Sequence, residues 1–449
     1  MPENVLVVGG GGREHAIVRA LAPDCTVFGL ASNRNPGIAA LAADTTTAEE
    51  TDTEAIVEYA AAIDADAAVV GPESALQAGV ADALTDAGVF TFGPTAEAAR
   101  IETDKAFQRR FMAENDIPGT PGFETFDSAE AAAKYVETIE EDVAVKPTGL
   151  TGGKGVRVTG DQLTHEEAAD YIRGDDHDEW VVEERLVGEE FTVQAFVAKG
   201  ERSSPSSRTQ SGDDGVVRPT PAVQDHKRAY EGDEGPNTGG MGSYTDAGPT
   251  LPFMDEADYD DAVEILEATV DALPTYTGVL YGQFMLTAEG LKVVEFNARF
   301  GDPEAMNVLP LLETPFSDIV DAAASGEPLP NPTFRNQATV CKYAVPDGYP
   351  TDPSAGAKIT VDESTVEAGA ETHGGEALLF YASVDDRDDG LYTTTSRAFA
   401  VVGIADDIET AEAIAADALA AAGDGLRVRE DVGTAELVQK RVDHMARLR

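Results

Sequence analysis

Lysine is scarce in this chain: ten stand among 449 residues, beside 22 arginines. Basic charge is short altogether, with 32 Lys and Arg against 83 Asp and Glu and a formal net charge of −51. Such a balance argues against nucleic acid as a partner, because a phosphate backbone calls for a basic footprint. Cysteine is nearly absent. Cys25 and Cys341 lie far apart and form no metal-binding spacing, so two free thiols in a reducing interior are expected. No apolar run reaches the roughly 18 residues of a membrane span, and no membrane association is expected. The chain enters its first strand, Val5-Leu6-Val7-Val8, without a basic leader, so no signal peptide and a cytoplasmic location are expected.

The acidic residues are dispersed through periodic, foldable sequence and are not gathered in a tail. That dispersal fits adaptation to high salt, where ions screen dense surface charge. If surface lysines have been stripped away, the survivors concentrate where a cation is needed. Lys105, Lys146, Lys154 and Lys227 all fall inside the motifs below. A hydrophobic content of 42% suffices for real cores, and the length suggests about three domains.

Residues 1 to 100 alternate strand and helix. Strands are expected at Val5–Val8, Thr26–Leu30, Ala67–Val70 and Val89–Phe92, with helices at Arg13–Leu21, Glu54–Ile63 and Val80–Ala87. Repeated units of this kind build a doubly wound parallel sheet, with ligands at the carboxyl ends of its strands. The loop Gly9-Gly10-Gly11-Gly12 stands between the first strand and its helix, where backbone amides can cradle an anion. It is a poor dinucleotide fingerprint. Glu14 replaces the third glycine, and the second strand ends in Ala31-Ser32-Asn33 without an acid for a ribose. A phosphate or phospho-sugar site fits better; a plain glycine turn is the bland alternative.

Lys105 opens a helix to about Asn115. Val143-Ala144-Val145-Lys146-Pro147 is a strand entering a glycine-rich loop, Gly149 to Gly155, that holds Gly152 and Lys154; Val156-Arg157-Val158 leads out. A strand–loop–strand hairpin is no Walker-A loop, which leads into a helix. It is a flap that can close over nucleotide phosphates. Trp180 to Phe191 reads as strand, turn and strand. Backbone groups near Glu183 to Leu186 can pair with an adenine edge, and Glu190 can take ribose hydroxyls. Residues 199–218 are read as a mobile loop.

Asp225, His226, Lys227 and Arg228 mix charges where a zwitterion can bind, with His226 taken as structural or exposed. The glycines of Gly235 to Ser243, which include Asn237 and Gly239, permit close approach of backbone amides to an anionic ligand. Gly278–Leu286 and Leu291–Asn297 are expected to pair through the Glu289-Gly290 turn, bringing Gln283 near Glu295. In the second strand Glu295, Asn297 and Arg299 share one face, while Val294, Phe296 and Ala298 point into a core. A carboxylate and an amide oxygen two residues apart suit Mg²⁺ held against phosphates. Arg299 adds a cationic fork for a carboxylate or phosphate. By itself the stretch reads equally as an edge strand with a polar solvent face. Beyond a Pro-rich linker from about Gly326 to Arg335, the chain reads as a supporting lobe without a catalytic set.

Taken in order, the flap, the Glu-Glu hinge and the Glu-x-Asn strand resemble the ATP-grasp fold. Six motifs narrow it: Val-Val-Gly-Gly-Gly-Gly-Arg-Glu-His-Ala from Val7, Val-Gly-Pro-Glu from Val70, Phe-Gly-Pro-Thr from Phe92, Gln-Asp-His-Lys-Arg from Gln224, Gly-Pro-Asn-Thr-Gly-Gly-Met-Gly from Gly235 and Glu-Phe-Asn-Ala-Arg-Phe-Gly-Asp-Pro-Glu from Glu295. Together they resemble the phosphoribosylamine–glycine ligase family over nearly the whole chain. The resemblance implies an α/β fold in three parts: a preATP-grasp parallel sheet (1–104), an ATP-grasp domain of two α+β lobes (105–330) and a C-terminal rudimentary-hybrid-like domain (331–449).

It also implies the partners, namely ATP, glycine and 5-phosphoribosylamine, and a Mg²⁺ or Mn²⁺ ion. Lys105, Lys146, Gly152 and Lys154 would hold ATP phosphates, with Glu183 and Leu186 at adenine and Glu190 at the ribose. Glu295 and Asn297 would hold the metal, with Gln283 a candidate third ligand. Gly11, Glu73, Asn237, Gly239 and Arg299 would bind substrate. Arg299, Asp225 and Lys227 would position the reacting glycine or its acyl phosphate. Another ATP-grasp carboxylate–amine ligase is the alternative of the same class; a non-enzymatic nucleotide-binding sensor is the alternative of a different one.

Overall fold

A computed structural model describes residues 1–149, 155–199, 216–421, 423 and 425–449. The chain opens with five strands, β1 (Asn4–Val8), β2 (Thr26–Ala31), β3 (Asp44–Thr47), β4 (Ala67–Val70) and β5 (Phe90–Phe92). They form one parallel sheet in the order β3-β2-β1-β4-β5. Val5 to Val8 and Ala67 to Val70 are buried throughout, as continuous apolar strands covered on both faces must be. The strand order reverses between β1 and β4, and a doubly wound sheet opens a ligand crevice at that point. The glycine loop leaves β1 there, and Gly71-Pro72-Glu73 leaves β4.

Four antiparallel strands follow, β6 (Phe123–Phe126), β7 (Val143–Pro147), β8 (Arg157–Val158) and β9 (Trp180–Glu184), ordered β6-β9-β7-β8. Helices Ala129–Thr138 and His165–Gly174 cover one face, and their Ala132, Val136, Ala169 and Ile172 pack on Val145 and Trp180. The other face is left to look across a cleft.

The far wall of that cleft comes from the next stretch of chain. β10 (Gly188–Lys199) and β11 (Val217–Pro219) are followed by β12 (Gln224–Asp225), the pair β13 (Arg228–Tyr230) and β14 (Glu234–Asn237), β15 (Gly242–Thr245), β16 (Tyr276–Thr287) and β17 (Gly290–Asn297). The wall is the antiparallel sheet β11-β10-β16-β17. The loop expected over residues 199–218 is corrected at its end, where β11 pairs along β10; residues 200–215 lie outside the described residues.

β18 (Ala338–Pro346), β19 (Lys358–Ile359), β20 (Glu376–Tyr381), β21 (Val384–Arg387), β22 (Gly390–Thr393), β23 (Phe399–Ala405) and β24 (Leu426–Val428) complete the strands. β20 and β21 are parted at Ala382-Ser383, where the carbonyls of Tyr381 and Ala382 accept Asn35 Nδ2. The last large sheet runs β12-β15-β18-β23-β20, with β24 also on β18. β15, which follows the glycine-rich stretch, is thus hydrogen-bonded to β18 of the C-terminal part and carries β12 beside it, and that part reaches the cleft. Helix Ala435–Leu448, unmarked in the sequence reading, closes the chain. Its signal was present: a Thr434 cap followed by Leu437, Val438, Val442 and Met445 at helical spacing. Among the described residues no helix is long and apolar enough to cross a membrane.

Candidate active site

Two cavities adjoin in the cleft. The larger, about 380 Å³, lies between the two antiparallel sheets. Ala144, Val156 and Val158 make one side of an apolar slot, Met285 and Val294 the other, and Leu186 stands at the hinge between β9 and β10. The smaller, about 250 Å³, opens toward the parallel sheet and takes in Arg13, Glu73, Glu102 and Arg299. Asp225 and Lys227 line both.

The slot depends on an irregularity in β17. Gln283 pairs with Glu295, as the hairpin spacing predicted, but the next residue, Phe284, pairs with Val293. Val294 is the extra residue of a β-bulge, and a bulge re-aims side chains beside a site. Val293 and Phe296 both enter the core. Val294, expected in the core, faces the cavity instead. Its carbonyl accepts Arg109 Nη2 at 2.7 Å and Lys146 Nζ at 3.2 Å.

Glu183 was expected to face adenine. Its carboxylate is held by Arg109 (2.8 and 3.0 Å) and by Lys146 (2.8 Å), all three side chains buried. Burial alone raises a carboxyl pKa; the charges of Arg109 and Lys146 outweigh it and hold Glu183 below the usual range. Lys146 is lowered, by burial and then by Arg109, because one carboxylate serves two cations. Glu183 is therefore the charged partner of the three, and its carboxylate is taken up by Arg109 and Lys146 while the residue itself lines the larger cavity. Arg109 was missed in the sequence reading. Nothing in its helix marks it, since its partner lies 74 residues away.

Lys227 occupies the junction of the cavities. Its Nζ donates to Gln283 Oε1 at 2.5 Å and lies 3.9 Å from Asp225 Oδ2 and 4.0 Å from Glu295 Oε1. Burial would lower it, but Asp225, Glu295, Glu190 and Glu304 raise it well above an ordinary lysine. Burial pushes Asp225 up to about 7, against the pull of Lys227. Burial also opposes ionisation of Glu295, yet Lys227, Lys146 and Lys105 bring it down to about 2. Lys105 donates to Gly149 O at 2.7 Å, at the foot of the flap. Gly152 and Lys154 lie outside the described residues.

These groups fit a hard cation in part. Asn297 Nδ2 reaches Glu295 Oε1 at 3.4 Å, so the two potential ligands stand together in the smaller cavity. Gln283, the expected third ligand, is engaged at both ends: its oxygen by Lys227 and its Nε2 on Glu190 Oε2 at 2.6 Å. Among the described residues no group of three or more His, Cys, Asp or Glu is placed to hold a metal. An ion here would take most of its ligands from phosphate oxygens and water, as Mg²⁺ characteristically does.

In the smaller cavity Arg299 lies between Glu102 (3.0 Å) and Glu73 (3.6 Å). Burial raises Glu102 to about 7 even beside Arg299. The glycine loop already holds an anion of its own, since Gly11 N–H donates to Glu14 Oε2 at 2.8 Å. Glu14 in turn holds Arg13 at 2.6 Å, which leaves Arg13 as the loop's cation on the cavity. Asn237 and Gly239 separate: Asn237 lines the larger cavity and Gly239 the smaller. The C-terminal part supplies Arg397, whose Nη1 donates to the carbonyls of Gly239 (2.8 Å), Gly240 (3.1 Å) and Asp302 (2.9 Å). The expectation of a supporting lobe without site residues is corrected, because β18 and β23 carry Arg397 to the cavity edge. No local motif surrounds Arg397 that could have announced this.

Family models match along the chain. Residues 3–102 match the N domain of phosphoribosylglycinamide synthetase, 103–305 its ATP-grasp (A) domain and 339–435 its C domain. The phosphoribosylamine–glycine ligase of Methanosarcina barkeri is 50% identical over 456 residues, 99% of each chain. That of Methanothermobacter thermautotrophicus is 47% identical over 456 residues, again 99% of each. The solved phosphoribosylamine–glycine ligase of Thermotoga maritima superposes with a TM-score of 0.75 at 26% identity, over 95% of this chain and 99% of that one. Biotin carboxylase from Campylobacter jejuni superposes at 0.72 with 15% identity, over 100% and 99%, a likeness of fold.

Proposed function

The chain belongs to the phosphoribosylglycinamide synthetase family, and from that premise we propose how its two joined cavities carry the family's reaction. The enzyme ligates glycine to 5-phosphoribosylamine with ATP, giving glycinamide ribonucleotide, ADP and phosphate in purine biosynthesis. ATP enters the larger cavity, base in the apolar slot beside Leu186 and ribose toward Glu190. Its phosphates run toward Lys146 and Lys105; Gly152 and Lys154, expected to join them, lie outside the described residues. Glycine and 5-phosphoribosylamine take the smaller cavity. The observation that carries this reading is that Asp225 and Lys227 line both.

A carboxylate oxygen of glycine attacks the γ-phosphorus, the bond to the β–γ bridging oxygen breaks, and ADP leaves. The amine of 5-phosphoribosylamine then attacks the acyl carbon. Phosphate departs with the glycine oxygen, and the nitrogen's proton leaves with it. Positioning and charge neutralisation carry most of such a reaction. Lys227 sits where the transferred phosphoryl group must pass, held at its angle by Gln283 and Asp225. Arg299, fixed between Glu102 and Glu73, offers its fork to the glycine carboxylate. Arg13, Glu73 and Gly239 face the sugar phosphate, Gly11 backs them through its bond to Glu14, and Asn237 lies at the junction with the nucleotide. Glu295 and Asn297 would hold Mg²⁺ or Mn²⁺, which when bound neutralises phosphate charge; Gln283 is left out of that set because Lys227 takes its oxygen.

The division 1–104, 105–330 and 331–449 remains our reading of the domains, with β12 and β15 reaching across it into the last sheet. The free thiols Cys25 and Cys341 suit a cytoplasmic enzyme. The dispersed acidity supports adaptation to high salt. Glycine labelled with ¹⁸O in its carboxylate tests the chemistry. One labelled oxygen should appear in inorganic phosphate, together with glycinamide ribonucleotide; product formed with unlabelled phosphate overturns the acyl phosphate.

A further inference from the structure

Helix Ala435–Leu448 sends Arg441 into the wall of the larger cavity. Its Nη2 donates to Asp233 Oδ2 at 2.6 Å, and its Nε lies 3.4 Å from Glu189 Oε2, an ion pair without a hydrogen bond. Glu189 and Asp233 line the same cavity. On the next turn of the helix, His444 Nδ1 stands 2.6 Å from Glu189 Oε1, 255 positions away in the chain. The buried Glu189 carboxylate thus takes its basic partners from the last helix of the protein.

The two acids belong to different parts of the cavity wall. Glu189 lies at the start of β10, just past Leu186 at the hinge. Gln224 Nε2 ties it to its neighbour, donating to Glu190 O at 2.9 Å and to Glu189 Oε2 at 3.4 Å. Asp233 is at the tip of the β13–β14 hairpin, with a φ of 66° that residues other than glycine seldom adopt. Arg429 Nη2 holds it as well, at 2.9 Å. Lys227 and Asn237 stand at the base of that hairpin, and Arg228 reaches across the cavity to Asp161 at 2.8 Å. The acids also differ in how far they depend on Arg441. Burial raises Glu189 in spite of Arg441 and His444. At Asp233 burial is outweighed, and Arg441 with Arg429 holds the carboxyl well below its ordinary range. Without Arg441, Asp233 keeps Arg429, but Glu189 is a buried carboxylate short of positive charge. It must then take up a proton or swing away. The loss is felt at the start of β10, not throughout the fold.

We propose that Arg441 is a positioning residue for the nucleotide: it clamps Glu189 beside the hinge to Asp233 on the hairpin, and so fixes the strand end that presents Leu186 to the base and Glu190 to the ribose. This rests on ATP taking the larger cavity. It makes the C-terminal helix, unmarked in the sequence reading, a working part of the nucleotide site.

Calorimetric titration with ADP in the presence of Mg²⁺, together with steady-state kinetics, tests it. Arg441→Met should weaken ADP and raise KM for ATP about tenfold, the cost of ordering on binding one or two side chains that the wild type holds ready. KM for glycine and kcat at saturating ATP should stay near those of the wild type. Glu189→Gln removes the charge that Arg441 clamps and should weaken ADP by a similar factor; it decides the matter if Arg441→Met does not fold. The double variant should bind ADP no worse than either single one, because both remove the same clamp. ADP bound by both single variants as tightly as by the wild type overturns the proposal, and so do losses that add in the double variant. A rise in KM for glycine equal to that for ATP also overturns it, and makes Arg441 a fastening of the fold alone. If ADP does not bind the wild type at all, the nucleotide reading of the cavity fails and takes this inference with it.

Discussion

Arg109 and Glu183 meet as a two-pronged pair: Nε to Oε1 at 2.8 Å and Nη2 to Oε2 at 3.0 Å, both side chains buried. The same guanidinium donates to the carbonyls of Val293 and Val294 at the bulge. Glu183 ends one sheet of the cleft and Val294 belongs to the other. One arginine therefore sets the spacing of the two walls of the larger cavity.

Breaking that pair should be costly. Glu183→Gln leaves Arg109 and Lys146 buried without a counter-charge, and loss of one partner of a buried pair costs roughly 3–5 kcal/mol. The two cations hold Glu183 below its ordinary value of 4.5. Its stabilisation is thus complete above that value and disappears as pH falls through the lower folded one. Urea unfolding of wild type and variant should differ by a constant amount from about pH 6 to 8, and the gap should close below about pH 4.5. A gap that widens on acidification would contradict the assignment.

Glu295→Gln should leave the fold intact and reduce ligase turnover by at least about a hundredfold, since metal charge stabilisation is worth several kcal/mol. Glutamine keeps the shape and removes the charge that Lys227, Lys146 and Lys105 now stabilise. Turnover at matched Mg²⁺ is the measurement. Wild-type rates would take Glu295 out of the site.

Gly11→Val should impair use of 5-phosphoribosylamine and spare ATP. A Cβ at Gly11 would stand 2.7 Å from Glu14 Oε2 and 3.6 Å from Asp302 Oδ2. The valine must displace Glu14, and with it Arg13. We expect KM for the amine to rise on the order of tenfold or more, as misplaced substrate-binding groups do. ADP affinity by calorimetry should stay unchanged; a variant that chiefly loses ADP would reverse the assignment of cavities to substrates.

Stability should rise with salt. At low ionic strength the Debye length is on the order of 30 Å, so the charges behind the net −51 repel across whole domains. In molar salt it falls to about 3 Å and only near neighbours interact. Melting temperatures in KCl from tens of millimolar to several molar should climb throughout. A flat or falling series would remove the high-salt reading and leave the ligase untouched, because the two rest on different observations.

The local code was enough for much of this protein. Alternating strand and helix predicted the parallel sheet, and the Glu289-Gly290 turn predicted the pairing of Gln283 with Glu295. The motifs from Val7 to Glu304 carried the family. Each of these is written in neighbours a few residues apart, where period and turn chemistry act. What the sequence could not express is which distant groups meet. Val293 and Val294 are both valine, so hydrophobic alternation cannot tell which enters the core; the bulge decides. Glu183 gives its carboxylate to Arg109 and Lys146, Gln283 gives its oxygen to Lys227, and Arg397 crosses 158 positions to hold Gly239. Those partners are set by how sheets stack and by the need to pair every buried charge, and only the packed tertiary structure brings such groups within reach.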